Sequence, residues 1–282
     1  MTKPGGDSET LGGATAWPRR ARFALPVLAA LAILVGACGG DPQGAQEPAP
    51  PSQTDDPAPD VQNNDPLPDT QTDDAPAAEE SLTIEDRNAA LGRGINIGDA
   101  LEAPNEGDWG VTIEDSFFDI IAEAGFDSVR IPISWSTHAS TEPPYTIDPE
   151  FFSRVDHVLD QVQRVGLTAV IDMHHYAEIF VDPAGETDRF VAMWSQIAER
   201  YADQPQSVYF EPLNEPSDAF SDQPQLWNEL FAEALEAIRR TNPDRAVVVG
   251  PVAFNSLEAL NTLTLPPDPN LIVTIHYYDP FK

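Results

Sequence analysis

The sequence predicts an α/β fold, a parallel (β/α)8 TIM-type barrel of which the chain holds about six βα units. The first observation is that short apolar runs of strand length alternate, from Ser81 onward, with longer segments whose apolar residues recur at helical intervals. This alternation is typical of successive βα units. The second observation is that no glycine-rich phosphate loop follows the first strand-like run, which favours a barrel over a doubly wound sheet.

Six strands are predicted in order along the chain. They are Gly94–Ile97, Ser128–Ile133, Thr168–Met173, Ser207–Pro212, Ala246–Val249 and Leu271–Ile275. Helical stripes of apolar residues lie between them over 151–162, 190–201 and 227–238. Gly166 follows the first stripe as a helix stop. We expect the aromatic residues of these stripes to pack against the barrel rather than contact a ligand.

A complete barrel of this type has two more βα units than the six predicted. Only residues 276–282 follow the sixth strand. We therefore expect residues 81–282 to be a barrel domain that is truncated at its C-terminus.

The first 38 residues predict a bacterial lipoprotein signal peptide. Basic residues up to Arg22 precede an apolar stretch over 23–37, which is short for a membrane span. The stretch ends in Val35-Gly36-Ala37-Cys38, which resembles a lipobox. Cys38 is the single cysteine of the chain, so it cannot form an internal disulfide. We expect lipid attachment at Cys38 and an exported protein, anchored to the cell envelope and facing outside the cytoplasm.

Residues 39–80 predict a disordered, acidic and proline-rich linker. Positions 41–80 contain 9 prolines, 11 acidic residues and no basic residue. Such a segment buries too little apolar surface to offset its chain entropy. The net charge of the whole chain, −32, disfavours nucleic acid and anionic membrane surfaces as partners. The expected contact with the membrane is therefore the lipid on Cys38.

Polar and ionisable residues stand at the ends of five predicted strands. In a parallel barrel the carboxyl ends of the strands meet at one rim, where the functional groups lie. The residues at these ends are Asn96, Arg130, His174, Asn214, Glu215, His276 and Tyr278. Their convergence predicts an active site at this rim.

Five ordered motifs resemble glycoside hydrolase family 5, the cellulase family. The motifs are Gly94-Ile95-Asn96, Val129-Arg130-Ile131-Pro132, Asp172-Met173-His174-His175, Leu213-Asn214-Glu215-Pro216 and His276-Tyr277-Tyr278. The resemblance implies a retaining endo-β-glycanase that acts on β-1,4-glucan and needs no cofactor. Another β-glucanase or a mannanase of the same family is the alternative within this class.

The resemblance also implies a role for each residue at the rim. Glu215 is the implied general acid/base, with a raised pKa supplied by partial burial and a neighbouring carboxylate. Asn214 is expected to bind the sugar 2-hydroxyl. Arg130 is expected to orient the nucleophile, and Tyr278 to donate a hydrogen bond to the nucleophile. Asn96 and His174 are expected to contact the sugar. His276 is expected to lie near Glu215.

Side chains alternate between the two faces of a strand, so two adjacent residues on a regular strand cannot both face the site. Asn214 and Glu215 can share a site only if their strand bends or bulges there. His174 and His175 cannot both face inward on a regular strand, which favours one substrate-contacting histidine over a metal site. Trp135, after the second strand, is open to two interpretations, a sugar platform or packing at the rim.

The resemblance implies that the nucleophile is a glutamate at the end of a seventh strand, beyond Lys282. Glu211 is not a substitute, because it lies within the fourth strand. Without a nucleophile in the sequence, a non-catalytic carbohydrate-binding lipoprotein is the alternative from another class. Retention of Glu215 beside Asn214 argues against it, since a binding protein needs no positioned acid.

Overall fold

The computed structural model describes residues 82–278, which form a parallel sheet with helices between its strands. The predicted signal peptide, the lipidation site Cys38 and the linker lie outside these residues, as do the last four positions of the chain. Within 82–278, no helix combines the length and the hydropathy that crossing a membrane would require.

The sheet contains six strands in sequential order, and each neighbouring pair is parallel. The strands are β1 Gly94–Asn96, β2 Ser128–Ile131, β3 Thr168–Asp172, β4 Val208–Glu211, β5 Val247–Val249 and β6 Leu271–Val273. Sequential order without a reversal is the arrangement of a (β/α) barrel and not of a doubly wound sheet. The predicted fold class, an incomplete (β/α)8 barrel, is confirmed.

One helix precedes β1, and the others occupy the segments between the strands. The helices are α1 Ile84–Ala90, α2 Asp115–Glu123, α3 Pro149–Arg164, α4 Ala177–Val181, α5 Pro183–Arg200, α6 Ala219–Asp222, α7 Pro224–Arg239 and the short turn α8 Val252–Asn255. Two 3-10 turns, Trp135–His138 and Leu257–Thr262, follow β2 and α8. The three predicted helical stripes fall on α3, α5 and α7, whose apolar faces are buried in the main core.

The long helices begin and end where local chemistry favours it. α3 and α5 each have proline in the first turn, where the missing N–H costs nothing. The Asp148 carboxylate accepts from the Glu150 backbone N–H at 2.8 Å and caps α3. The chain leaves α3 at Gly166, whose φ of +76° is accessible to glycine without strain.

Arg245 joins the amino-terminal ends of β4 and β5 to the end of α5. Its side chain is completely buried and donates to backbone carbonyls, among them those of Tyr201 at 2.9 Å and Val208 at 2.8 Å. Burial and the nearby guanidinium groups of Arg87 and Arg239 lower the pKa of Arg245 to about 10. The carbonyl ligands satisfy the guanidinium donors, so this buried cation has a structural role at the end of the sheet remote from the strand-end residues.

Candidate active site

A cavity of about 470 Å³ opens at the carboxyl ends of the strands. Seven of the residues predicted from the sequence line it together, namely Asn96, Arg130, His174, Asn214, Glu215, His276 and Tyr278. They come from the ends of β1, β2, β3, β4 and β6. The strand-end rule of parallel barrels therefore brings these distant sequence positions into one site.

Backbone hydrogen bonds continue past the strands and fix the positions of the site residues. The His174 N–H donates to the Ile133 carbonyl at 2.8 Å, and the Asn214 N–H donates to the Met173 carbonyl at 3.0 Å. Both bonds extend the pairing of β2, β3 and β4 into the loops. The rim is thus held by main-chain contacts between neighbouring strand ends and not by side chains alone.

The chain bends at Glu215, so Asn214 and Glu215 both face the cavity. β4 ends at Glu211, and Glu215 has a left-handed φ of +51°, which is uncommon for a residue with a side chain. The bend required by the sequence prediction is therefore present, as a left-handed residue beyond the strand. Such a conformation costs free energy and persists only where surrounding contacts enforce it.

His175 also adopts a left-handed conformation, with φ of +53°. The rings of His174 and His175 meet edge to face with centroids 4.7 Å apart, and His175 makes a similar contact with Trp109 at 5.4 Å. β3 ends at Asp172, before the two histidines. The premise that they alternate along a regular strand was wrong, because both lie in the loop after it.

Arg130 is the electrostatic centre of the site. Its Nε and Nη2 donate to both carboxylate oxygens of Glu211, at 2.6 and 2.8 Å, which is the bidentate geometry of a strong ion pair. Nη2 also lies 2.5 Å from Oδ2 of Asp172 and 2.9 Å from Oδ1 of Asn214. Nη1 donates to Oδ1 of Asn96 at 3.3 Å. One guanidinium therefore links the end of β2 to side chains from the ends of three other strands, β1, β3 and β4.

Asp172 and His174 form a second charged pair below the cavity. The Asp172 side chain is completely buried, and although burial opposes its ionisation, Arg130 and His174 hold its pKa below the ordinary range. His174 Nδ1 lies 3.0 Å from Oδ2 of Asp172. Burial disfavours the imidazolium form, but the Asp172 carboxylate outweighs this and raises the pKa of His174. The Nε2 side of the ring is left to face the cavity.

Glu215 makes its closest contact with His276. Oε1 of Glu215 lies 2.7 Å from Nδ1 of His276. This hydrogen bond lowers the pKa of Glu215 although partial burial opposes the shift, and positive charge on His276, His174 and Arg130 would act in the same direction as the hydrogen bond. The predicted raised pKa was therefore wrong for the described structure, since the cationic and hydrogen-bonding groups around this carboxylate outweigh its desolvation.

Trp135 does not line the cavity. Its side chain is completely buried against Phe151 and Phe152, with ring centroids 5.6 and 5.4 Å away. Its indole N–H donates to the Asp172 carbonyl at 3.0 Å. Of the two interpretations of Trp135, substrate binding as a sugar platform was wrong, and packing describes its position. It supports the end of β3 from beneath.

Sequence reasoning missed the partners that organise these residues. Asp172 and Glu211 are buried carboxylates at the ends of otherwise apolar strands, and they hold Arg130. The available signal was their charge within an apolar run, because carboxylates are rarely buried unless paired. Trp109 was also missed, since it lies in an irregular loop with no periodic pattern.

The arrangement suits acid and base chemistry on a polar ligand. A half-buried carboxyl, Glu215, faces an open cavity and has a fixed hydrogen-bond partner in His276. Asn96 and Asn214 present amide groups to the same space, and both are oriented by Arg130. Amides and imidazoles around a positioned carboxyl can bind hydroxyl groups and transfer a proton to an oxygen.

A cellulase family model and curated relatives named as endoglucanases match this chain. The family model for cellulases, glycosyl hydrolase family 5, matches residues 92–282. Endoglucanase H of Acetivibrio thermocellus is 40% identical over 192 residues, which are 68% of this chain and 21% of that protein. Endoglucanase B of Ruminococcus albus is 30% identical over 222 residues, which are 70% of this chain and 54% of that protein. The chain therefore spans only part of the length of these curated relatives.

Solved structures agree with the sequence comparison. The crystal structure of endoglucanase Cel5A from the hyperthermophilic Thermotoga maritima superposes with a TM-score of 0.69 and 52% identity, covering 71% of this chain and 64% of that chain. Structures of the same protein with mannotriose and with cellobiose match with a TM-score of 0.68, at 52% and 53% identity and the same coverage of both chains.

The family match and the site occupy the same part of the chain. The matched residues include all six strands and the seven predicted residues that line the cavity. Since the match extends over more than half of the chain, and since the fold agrees with the solved relatives, the chain belongs to glycosyl hydrolase family 5, the cellulase family.

Proposed function

We propose that the protein is a retaining endo-β-glycanase that hydrolyses β-1,4-glucan, with Glu215 as general acid/base. The observation that carries the proposal is the position of Glu215 in one cavity with Asn214 and Arg130, in hydrogen-bond contact with His276. The names of the curated relatives, endoglucanases, support β-glucan as the substrate class. A polysaccharide is therefore the proposed partner.

In the first step of this mechanism, Glu215 protonates the departing glycosidic oxygen while a second carboxylate attacks the anomeric carbon. The family resemblance assigns the role of nucleophile to a strand-end glutamate, which Arg130 and Tyr278 would face. In the second step Glu215 deprotonates the water that releases the sugar. Asn214 binds the 2-hydroxyl, a contact that strengthens as the transition state develops oxocarbenium character.

The lowered pKa of Glu215 fits the second of these steps directly, because a base must be ionised before it accepts a proton. The first step requires the opposite state. An ionised nucleophile close to Glu215 raises its pKa, and bound substrate does the same by excluding water. Once the nucleophile is glycosylated, its negative charge disappears and the carboxyl can ionise again. The two states of the nucleophile would thus set the two roles of Glu215.

Product stereochemistry tests the proposal. We expect the full-length gene product to cleave soluble β-1,4-glucan within the chain and to release new reducing ends as the β-anomer first. Proton NMR of the anomeric signals, recorded before mutarotation, distinguishes the two outcomes. A first-formed α-anomer would contradict a retaining mechanism, and binding of glucan without hydrolysis would favour the carbohydrate-binding alternative.

Mannan is the second candidate substrate. The observation that favours it is the solved relative from Thermotoga maritima, which was crystallised with mannotriose as well as with cellobiose. Glucose and mannose differ at the 2-hydroxyl, the group that Asn214 is proposed to bind. Comparing kcat/KM for cello- and manno-oligosaccharides of equal length therefore identifies the preferred sugar, and a higher value for the mannosides would replace β-1,4-glucan in the proposal.

The proposed location of the protein is the cell envelope, facing outside the cytoplasm, with a lipid on Cys38. The motivating observation is the run Val35-Gly36-Ala37-Cys38 after a basic and then an apolar segment. Two acyl chains on a lipoprotein cysteine give stable membrane attachment where a single chain gives marginal binding. A polymer-degrading enzyme held outside the cell meets substrates that are too large to be imported.

Substitution of Cys38 tests this anchor. In a bacterial host supplied with a fatty-acid analogue, wild type should be labelled and should sediment with membranes. Cys38→Ser should be unlabelled, because serine cannot form the thioether to the lipid. Ala37→Ser is the matched control, since it keeps a small residue before the cysteine and should still be labelled. Equal labelling of wild type and Cys38→Ser would show that the lipid is attached elsewhere.

A further inference from the structure

Asn255 contacts His276 through both its side chain and its main chain. It follows β5 in the turn α8, a position that none of the sequence motifs includes. Its Nδ2 lies 3.2 Å from Nε2 of His276, and its carbonyl accepts from the His276 N–H at 2.9 Å. The two bonds hold the imidazole and its backbone relative to β5. Because His276 is in contact with Glu215, Asn255 lies one residue removed from the candidate catalytic carboxyl.

The turn that carries Asn255 is strained. Ala253, Phe254 and Asn255 have consecutive left-handed φ values of +56°, +62° and +55°. Single left-handed residues are uncommon outside glycine, because the Cβ atom clashes with the backbone in this conformation. Three in succession therefore raise the conformational free energy of the folded turn. The turn places Asn255 completely out of solvent and beneath His276.

The side chain of Asn255 occupies space that is left open by Gly250. A Cβ on Gly250 would lie 2.3 Å from Cγ of Asn255, so the site requires glycine there. Oδ1 of Asn255 is buried without a hydrogen-bond partner among the described residues, which is itself unfavourable. A residue that only filled space would avoid the second of these costs, since an apolar side chain leaves no unsatisfied oxygen. The feature that an apolar residue lacks is the amide donor directed at Nε2.

The hydrogen-bond partners on its two sides define the state of the imidazole. A carboxylate can only accept, so the 2.7 Å contact with Glu215 requires a proton on Nδ1 of His276. The Asn255 amide nitrogen can only donate, so the contact at Nε2 requires a lone pair there. Both requirements are met by one species, the neutral ring with its proton on Nδ1.

We infer that Asn255 is a positioning residue that fixes His276 as the neutral Nδ1–H tautomer and thereby keeps it a hydrogen-bond donor to Glu215. The inference rests on the proposed function of Glu215. Arg130 and His174 already direct positive charge at this carboxyl. A proton on Nε2 would add a third cation in direct contact with Glu215 and would favour its ionised form, which cannot protonate the leaving oxygen. Asn255 excludes that proton by occupying Nε2 with a donor.

Two substitutions at Asn255 test the inference without disturbing the turn. Aspartate is nearly isosteric and tolerates left-handed φ, but its carboxylate accepts where the amide donates. Glycine also suits the turn and removes the side chain entirely. Ser256→Ala is the matched control. It removes the side-chain contact with the Ala259 N–H in the adjacent turn and leaves the amide of Asn255 in place.

Nitrogen-15 NMR of histidine-labelled full-length protein reads the tautomer directly, with His276 assigned by the loss of its signals in His276→Asn. Wild type and Ser256→Ala should show a protonated Nδ1 and an unprotonated Nε2. Asn255→Asp should show a proton on Nε2. Asn255→Gly should show exchange between tautomers, because solvent replaces the amide. A protonated Nε2 in wild type would overturn the inference, since the amide would then present Oδ1 to the ring.

Kinetics provide the second readout. In Asn255→Asp we expect kcat on cello-oligosaccharides to fall about 10- to 100-fold, by analogy with the loss of hydrogen-bond partners that orient metal-ligating histidines. Formation of glycosyl-enzyme from an aryl glycoside with a good leaving group should change little, because that step needs no proton. Equal losses on both substrates would indicate general damage to the fold and would refute the positioning role. An inactive wild type would refute the proposed function instead, and the NMR result would still report on Asn255.

Discussion

Glu215→Gln should reduce hydrolysis of unactivated β-glucan by several powers of ten. The amide has no proton acid enough to assist departure of a sugar hydroxyl, and general acid or base catalysis by a positioned group contributes about 10²- to 10⁴-fold in each step that uses it. Among the described residues one other carboxyl lines the cavity, that of Glu102, but its two oxygens accept from the backbone N–H groups of Asp99 and Ala100. The loss should appear in kcat and kcat/KM together, because the interaction is made in the transition state.

The same variant should behave differently with activated substrates. Aryl glycosides with good leaving groups need little help from an acid, so the glycosyl-enzyme should still form. It should then accumulate, since activation of the incoming water is also lost, and mass spectrometry of the intact protein should detect it. Azide needs no general base and should restore turnover as the β-glycosyl azide.

Glu229→Gln, on the exposed face of α7, is the matched control and should retain wild-type kinetics. A Glu215→Gln protein with undiminished activity on polymer would remove Glu215 from the mechanism. An α-glycosyl azide would keep its catalytic role but contradict double displacement, because attack on a covalent intermediate by azide must give the β-anomer.

The fold was predictable because its signals are local. The strands β3, β4 and β5 are short runs of buried residues, each long helix has an apolar stripe, and the alternation of strands and helices defines a parallel β/α architecture. The site followed from one further rule, that functional side chains gather where parallel strands end. This rule needs no knowledge of contacts, and it placed Asn96, Glu215 and His276 at one rim although they are far apart in the chain.

The features that sequence reasoning missed depend on contacts between distant residues. The burial of Trp135 depends on where α3 packs, which the sequence pattern does not reveal. A sugar platform therefore remained one of its two interpretations. The lowered pKa of Glu215 among the described residues was not predicted, because its hydrogen bond to His276 spans 61 positions. The left-handed residue at Glu215 is likewise stabilised by its surroundings rather than by local propensity. Such features can be determined only from the packed structure, whereas hydrophobic periodicity can be read from the sequence.

Arg130→Met should cause the largest loss of stability among single substitutions in the site. The guanidinium pairs with Asp172 and Glu211, whose side chains are 0% and 3% exposed. Methionine fills similar space but leaves both carboxylates buried without their cation. Removing one partner of a buried ion pair costs about 3–5 kcal/mol. Arg130→Lys should recover part of the loss, because a single ammonium cannot reproduce the bidentate contact with Glu211.

The loss should also depend on pH, and the direction follows from Asp172. In wild type its pKa is below the ordinary value, so its ionised form adds stability above the pKa of the unfolded chain, and this is lost as pH falls through the lower folded value. Without Arg130, burial raises the pKa of Asp172, and ionisation opposes folding instead. Urea denaturation of the full-length protein should therefore show a larger difference between wild type and Arg130→Met at pH 7 than at pH 4.

Arg200→Met is the matched control for this measurement. Arg200 also pairs with a carboxylate, that of Asp156, but its side chain is 46% exposed and solvent screens the interaction. Its removal should change stability little at either pH. If Arg130→Met were as mild as Arg200→Met, the buried carboxylates would have to be protonated or reorganised in wild type. The ion pairs of Arg130 would then not be what holds the strand ends together around Glu215.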